Sequence, residues 1–238
     1  MSTELRVCAL YPDVMNIYAD RGNLLMLERR CAWRGIGFGV RAVGIGEDLP
    51  GAGADLYYLG GGQDADQRRC ARDLVAHKQE GLHRAAADGA VVLGVCGGYQ
   101  LLGRSYALGD EAIEGIGLLA VETVRDPGPR LIGNVAIELP DGRVLAGFEN
   151  HGGRTRLLAG QAPLGRVLRG HGNDGRSGHE GARTGTVIGT YLHGPLLPKN
   201  SWFCDWLIAT ALGIDDLPPL ADELEAAAHA SALRAAGV

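Results

Sequence analysis

The stretch Gly94-Val95-Cys96-Gly97-Gly98 holds a cysteine with glycine two residues before and two after it. That spacing fits a nucleophile elbow, a strained turn between a strand and a helix in which larger flanking side chains would collide. A sulfur lifted above a strand end there would lie at a helix N-terminus, which stabilises a thiolate, and the N–H of Gly97 would face a developing oxyanion. A core cysteine beside a glycine turn is the competing reading. A thiol nucleophile needs a base. His193, in Thr190-Tyr191-Leu192-His193-Gly194-Pro195, follows an apolar run and falls where parallel sheets place working groups. His151, after another strand-like run, ranks second; His77 and His83 fall on a polar helical stretch, and His171 and His179 in a glycine-rich loop. Gly60-Gly61-Gly62 ends a third strand-like run and is suited to supplying the second oxyanion donor, because glycine lets a backbone amide turn into a cleft. Neither a Walker spacing nor G-x-G-x-x-G with a following acidic residue is present, so nucleotide binding is discounted.

The elements needed to hold these residues read as βαβ units. Strands are expected at 5–10, 38–43, 55–59 and 90–95, the last an uninterrupted apolar run suited to burial on both faces. Helices are expected at 23–34, with Gly35 as its stop, across 64–87 as one or two helices, and from Tyr99. After about residue 115, shorter runs at 118–124, 131–139 and 144–148 look antiparallel, with Asp141-Gly142 as a hairpin turn. Residues 170–185 read as a long loop or loose hairpin, 186–192 as a strand, 201–212 as a helix and 220–234 as an Ala-rich final helix. The class is α/β with a mostly parallel sheet and antiparallel additions. No repeat or linker interrupts the chain, so residues 1–238 are expected to form one domain, with 213–238 as a C-terminal helical extension that covers the sheet.

Composition narrows the functional classes. Of 238 residues 38 are glycine, roughly twice the ordinary share of ~7%, without a collagen period. No run approaches the ~18 apolar residues of a membrane span. The net charge of −5 and the lack of a Lys/Arg block argue against a nucleic-acid surface. Five widely spaced cysteines without C-x-x-C indicate neither a disulfide framework nor a zinc site, and the N-terminus lacks the character of a signal peptide; a cytoplasmic location and no metal are expected.

Gly94-x-Cys96-x-Gly98-x-Gln100, the glycine loop at 60–62 and Leu192-His193-Gly194 together resemble class I (triad-type) glutamine amidotransferases, and Thr190-Tyr191-Leu192-His193-Gly194 resembles their cobyric-acid-synthase-like branch. The segments 17–23 (Ile-Tyr-Ala-Asp-Arg-Gly-Asn), 60–64 (Gly-Gly-Gly-Gln-Asp) and 148–155 (Phe-Glu-Asn-His-Gly-Gly-Arg-Thr) are similar to GatD-type glutaminase subunits of the MurT/GatD lipid II isoglutaminyl synthases. The resemblance implies a flavodoxin-like, doubly wound fold and hydrolysis of L-glutamine to glutamate and ammonia. It implies Cys96 as nucleophile, His193 as base and then acid, and the amides of Gly61 and Gly97 as the oxyanion hole. Gly62, Gln100, Arg130, Asn150 and His151 would then bind substrate, Arg130 through the carboxylate that its planar fork suits. It further implies a heterodimer with a MurT-type ATP-dependent ligase that amidates D-isoglutamate of the peptidoglycan precursor, with no cofactor on this chain and ATP and Mg on the partner.

One position departs from the wider class: Pro195 stands where a glutamate normally follows the histidine. Asp20, Glu149 or a carboxylate of the partner is left to orient the imidazole. A corrinoid-amidating glutaminase and a cysteine peptidase or chaperone on the same fold are the alternative functions; a non-catalytic interaction subunit fits poorly with both Cys96 and His193 present.

Overall fold

A computed structural model describes residues 3–16, 21–108 and 111–238. In chain order, β1 (Glu4–Leu10), α1 (Arg21–Ala32), β2 (Gly37–Val43) and β3 (Leu56–Leu59) lead into α2 (Asp64–Asp73). A π-helical turn, Leu74–Lys78, joins α2 to α3 (Gln79–Ala87), and β4 (Val91–Val95) and α4 (Gly97–Leu102) follow. Eight short strands come next: β5 (Ser105–Leu108), β6 (Glu111–Glu114), β7 (Val121–Arg125), β8 (Leu131–Glu138), β9 (Val144–His151), β10 (Gly153–Leu157), β11 (Gly165–Arg169) and β12 (His179–Glu180). The chain finishes with β13 (Ala182–Thr184), β14 (Val187–Thr190), α5 (Leu196–Lys199), α6 (Ser201–Leu212) and α7 (Glu223–Ala236).

The main sheet runs β13-β14-β4-β3-β1-β2, parallel throughout except for the β13 edge. This is a flavodoxin-like order with an added strand pair at one side, and it meets the expected class. Every residue of β3 and β4 is buried, as central strands covered by helices require. Two four-stranded sheets, β10-β7-β5-β6 and β12-β11-β8-β9, are antiparallel apart from the parallel β5–β7 pair. The Asp141-Gly142 turn joins β8 to β9 as expected: Gly142 has φ +83° and Leu139 N–H donates to Arg143 O at 2.8 Å.

Several boundaries differ from the sequence reading. The strand expected at 118–124 is Val121–Arg125, and the one at 186–192 stops at Thr190, where the chain leaves the sheet toward His193. The strand expected to end at Phe148 continues to His151, because pairing with β8 extends to Leu131↔His151. The glycine-rich 170–185 segment contains β12 and β13, and the β5–β6 hairpin was not anticipated. Both are short strands whose pairing partners, rather than their own periodicity, hold them.

The C-terminal residues lie against the rest of the chain. Arg30 of α1, wholly buried, donates Nε to Asp205 Oδ1 at 2.7 Å and Nη2 to Asp222 Oδ2 at 2.8 Å. Arg34 adds Nε to Pro218 O at 2.6 Å and Nη2 to Asp205 at 2.8 Å. Beyond this clamp α7 rests on α5, α6, β8 and β9, with Asn134 Nδ2 donating to Ala235 O at 2.9 Å. Among the described residues no helix is long and apolar enough to cross a membrane.

Candidate active site

The turn from β4 into α4 gives Cys96 φ +51° and ψ −105°, a conformation that costs a non-glycine residue on the order of 1–3 kcal/mol unless its surroundings impose it. They do so through backbone bonds. Cys96 N–H donates to Thr190 O at 2.8 Å, and Gly98 N–H donates to Gly60 O at 3.0 Å, which fastens the elbow to β14 on one side and to the glycine loop on the other. The flanking glycines are demanded by contact. A Cβ on Gly98 would stand 2.3 Å from Leu59 O, one on Gly94 2.8 Å from Gly98 C, and one on Gly97 2.2 Å from Gln67 Nε2 and 3.0 Å from Gly62 N.

Cys96 differs from the other cysteines. Burial pushes the thiols of Cys8 and Cys70 up to about 12 and that of Cys31 up to about 11, as core side chains. Cys96 instead borders an open cleft of about 390 Å³. The cleft is also lined by Gly62, Gln67, Gln100, Tyr106, Arg125, Arg130, Asn150 and His151. Six of the nine residues singled out in the sequence therefore meet in one place: Cys96, Gly62, Gln100, Arg130, Asn150 and His151.

Gly61, Gly97 and His193 are buried and are not among the described lining residues. The backbone nevertheless carries His193 toward the same edge of the sheet. Val95 and Thr190 are register partners, so Cys96 and His193 leave the carboxyl ends of neighbouring parallel strands. An antiparallel bridge then fixes the histidine backbone: His193 N–H donates to Phe148 O at 2.8 Å and Phe148 N–H to His193 O at 3.1 Å. The start of α1 buttresses the same segment. Asn23 Oδ1 accepts Leu197 N–H at 2.8 Å, and a Cβ on Gly22 would stand 2.6 Å from Pro195 Cγ.

Glu149, one of the candidates for orienting the imidazole, holds a loop. Its carboxylate, fully buried, accepts His171 N–H at 2.6 Å and Gly172 N–H at 2.9 Å and lies 3.8 Å from His151 Nε2. Asp20 and the 17–20 part of its segment fall outside the described residues.

His151 is a wall of the cleft. Its ring stacks on Tyr191 at 3.6 Å and 6°, and Nδ1–H donates to Gly153 O at 2.9 Å, which leaves Nε2 as the bare nitrogen. Burial lowers its pKa, so the neutral ring is favoured. Of the other histidines, His83 contacts Ile116 O at 2.6 Å, and His171 and His179, the latter in β12, are exposed. Asn150 aims Arg130, accepting Nε at its Oδ1 and Nη2 at its carbonyl, both at 2.7 Å.

Four residues of the site escaped the sequence reading: Gln67, Tyr106, Arg125 and Tyr191. Gln67 carries no spacing signal beyond following the glycine loop closely. The charged groups among the described lining residues are Arg125 and Arg130, an electrostatic setting for a small carboxylate. No group of three or more His, Cys, Asp or Glu among the described residues is arranged to hold a metal.

Residues 6–201 match the CobB/CobQ-like glutamine amidotransferase domain. The chain belongs to that family. Among curated relatives, it is 38% identical over 211 residues to the lipid II isoglutaminyl synthase (glutamine-hydrolysing) subunit GatD of Streptococcus pneumoniae, covering 88% of this chain and 81% of that one. The GatD subunit of Staphylococcus aureus is 37% identical, over 90% of this chain and 87% of its own. Cobyric acid synthase of Methylobacterium nodulans is 38% identical, but over 66% of this chain and 32% of its own length. A solved PurLQS structure from Thermotoga maritima shares the fold at TM-score 0.60 and 20% identity, covering 90% of this chain and 96% of the other.

Proposed function

We propose that this chain is a glutaminase that hydrolyses L-glutamine to glutamate and ammonia through a thioester on Cys96. The observation that carries the reading is the strained elbow placing Cys96 on a cleft whose charged described lining is two arginines. Arg130, aimed by Asn150, takes the substrate α-carboxylate, and Gln100 contacts the amino acid. His193 takes the Cys96 thiol proton, the thiolate attacks the side-chain amide carbon, and the tetrahedral oxyanion is held by backbone amides of the glycine loop at Gly61 and of Gly97. His193 protonates the departing nitrogen, so that ammonia leaves and the thioester remains. It then takes a proton from water, whose oxygen attacks the thioester, and glutamate leaves as Cys96 is regenerated.

The ammonia is destined for a MurT-type ligase partner in a heterodimer, which carries the ATP and Mg and amidates D-isoglutamate of lipid II. Extended identity to GatD subunits over most of both chains supports this acceptor over a corrinoid, since the match to cobyric acid synthase covers a third of that enzyme. Cys96→Ala is expected to lower ammonia release from glutamine by at least about 10³-fold while the melting temperature is kept. Ammonia release at the parental rate from a folded Cys96→Ala protein would overturn the assignment.

A further inference from the structure

From the cleft wall inward, five side chains from five parts of the chain form one buried hydrogen-bonded line. Gln67 Nε2 of α2 donates to Gln100 Oε1 of α4 at 2.8 Å, and Gln100 Nε2 donates to the Tyr191 hydroxyl at 3.1 Å. Tyr191 Oη lies 2.7 Å from Thr155 Oγ1 of β10, which lies 2.6 Å from Thr123 Oγ1 of β7. All five are at most 5% exposed. The amide part of the line has a direction, from Gln67 to Gln100 to Tyr191, whereas either hydroxyl of the Tyr191–Thr155 and Thr155–Thr123 pairs can donate.

We infer that Gln67 is a positioning residue for substrate recognition, setting which way the Gln100 amide faces. A primary amide has two N–H donors and two acceptor lone pairs. The line consumes one of each, leaving Gln100 one acceptor and one donor for the cleft that it borders. That pair complements a zwitterionic amino acid, whose ammonium needs an acceptor and whose carboxylate needs a donor. Rotating the amide by half a turn would exchange the two sites and present each substrate group with the wrong partner. Gly97 of the elbow leaves room for this side chain: a Cβ there would stand 2.2 Å from Gln67 Nε2. This inference rests on the glutaminase reading above.

Gln67→Glu is the discriminating variant, nearly isosteric but, when ionised, able only to accept. It obliges Gln100 to donate toward position 67 and turn its oxygen to Tyr191. Steady-state ammonia release by the full chain together with its ligase is expected to show KM for glutamine raised roughly 10- to 100-fold, with kcat moving far less, the size that mispairing a charged ligand produces. Alkylation of Cys96 by iodoacetamide, which does not use Gln100, should proceed at the parental rate. Gln67→Leu added to Gln100→Leu should cost no more than Gln100→Leu alone, because Gln67 acts through Gln100. Parental KM in Gln67→Glu, or full additivity of the two leucine variants, would overturn the inference. So would equal loss of iodoacetamide labelling, which would mark a disturbed elbow. Glutamine hydrolysis by the parent chain checks the functional reading separately: if the parent neither hydrolyses glutamine nor is protected by it from iodoacetamide, that reading fails and takes this inference with it.

Discussion

Replacing Gly98 by alanine tests whether the elbow is imposed by backbone contact. The added Cβ would stand 2.3 Å from Leu59 O and 2.8 Å from Leu59 C, both main-chain atoms of a fully buried central strand. An ordinary C···O approach is about 3.3 Å, so the helix start must retreat by about 1 Å. Overpacking of this kind costs ~1–3 kcal/mol. Stretching the Gly98–Gly60 backbone bond adds ~1, and the better helix propensity of alanine returns ~1. The net of about 1–3 kcal/mol corresponds to a melting temperature lowered by ~3–10 °C for a chain of this size. The catalytic effect is larger, because a displacement near 1 Å of a positioned group costs on the order of 10²-fold in rate. Thermal unfolding and ammonia release measured together should thus show a modest loss of stability beside a fall in turnover of about 100-fold. Gly51→Ala serves as the control, since nothing lies within 4 Å of its added Cβ and it should leave both readings near parental values. A Gly98→Ala protein with parental melting temperature and turnover would refute the contact argument.

Three further outcomes follow from the structure. Arg30→Leu removes the buried guanidinium that ties Asp205 to Asp222, leaving Asp205 its pair with Arg34; both carboxylates keep some contact with solvent, so the cost falls below the ~3–5 kcal/mol of a fully buried pair; hydrogen exchange should rise across residues 213–238, and unchanged exchange would show that the clamp is idle. Glu180 is fully buried against Tyr191 N–H and Thr190 Oγ1, and burial pushes its carboxyl from 4.5 up to about 8. The native state therefore holds a proton that the unfolded chain has lost, so stability is full below about 4.5 and falls as pH rises toward 8. Unfolding midpoints should show that decline in the parent and less of it in Glu180→Gln; identical pH profiles would count against a neutral Glu180. Glutaminase turnover should rise when the ligase is added, as expected of a subunit whose ammonia its partner consumes; turnover unchanged by the ligase would count against the proposed heterodimer.

Local chemistry made part of the site readable from sequence. A nucleophile elbow is written by small residues at fixed offsets, and the local part of the reason is the Gly94–Gly98 approach; the Leu59 contact that also demands glycine at 98 comes from a neighbouring strand. The parallel sheet was likewise legible, because a strand buried on both faces must be a continuous apolar run like Val91–Val95. The β5–β6 hairpin and the strands within 170–185 were not, because four residues or fewer carry too little periodicity and exist only through their neighbours.

The amino-acid sequence by itself determined where a reactive cysteine could stand and which strands would carry it. Only the tertiary structure decided what that cysteine faces. Gln67, Gln100, Thr123, Thr155 and Tyr191 are spread between positions 67 and 191, and become a line only when five parts of the chain converge. Glu149 looked as available as any carboxylate until the fold placed two amides on it. Hydrogen-bond partners far apart in the chain are selected by packing, and packing has no local code.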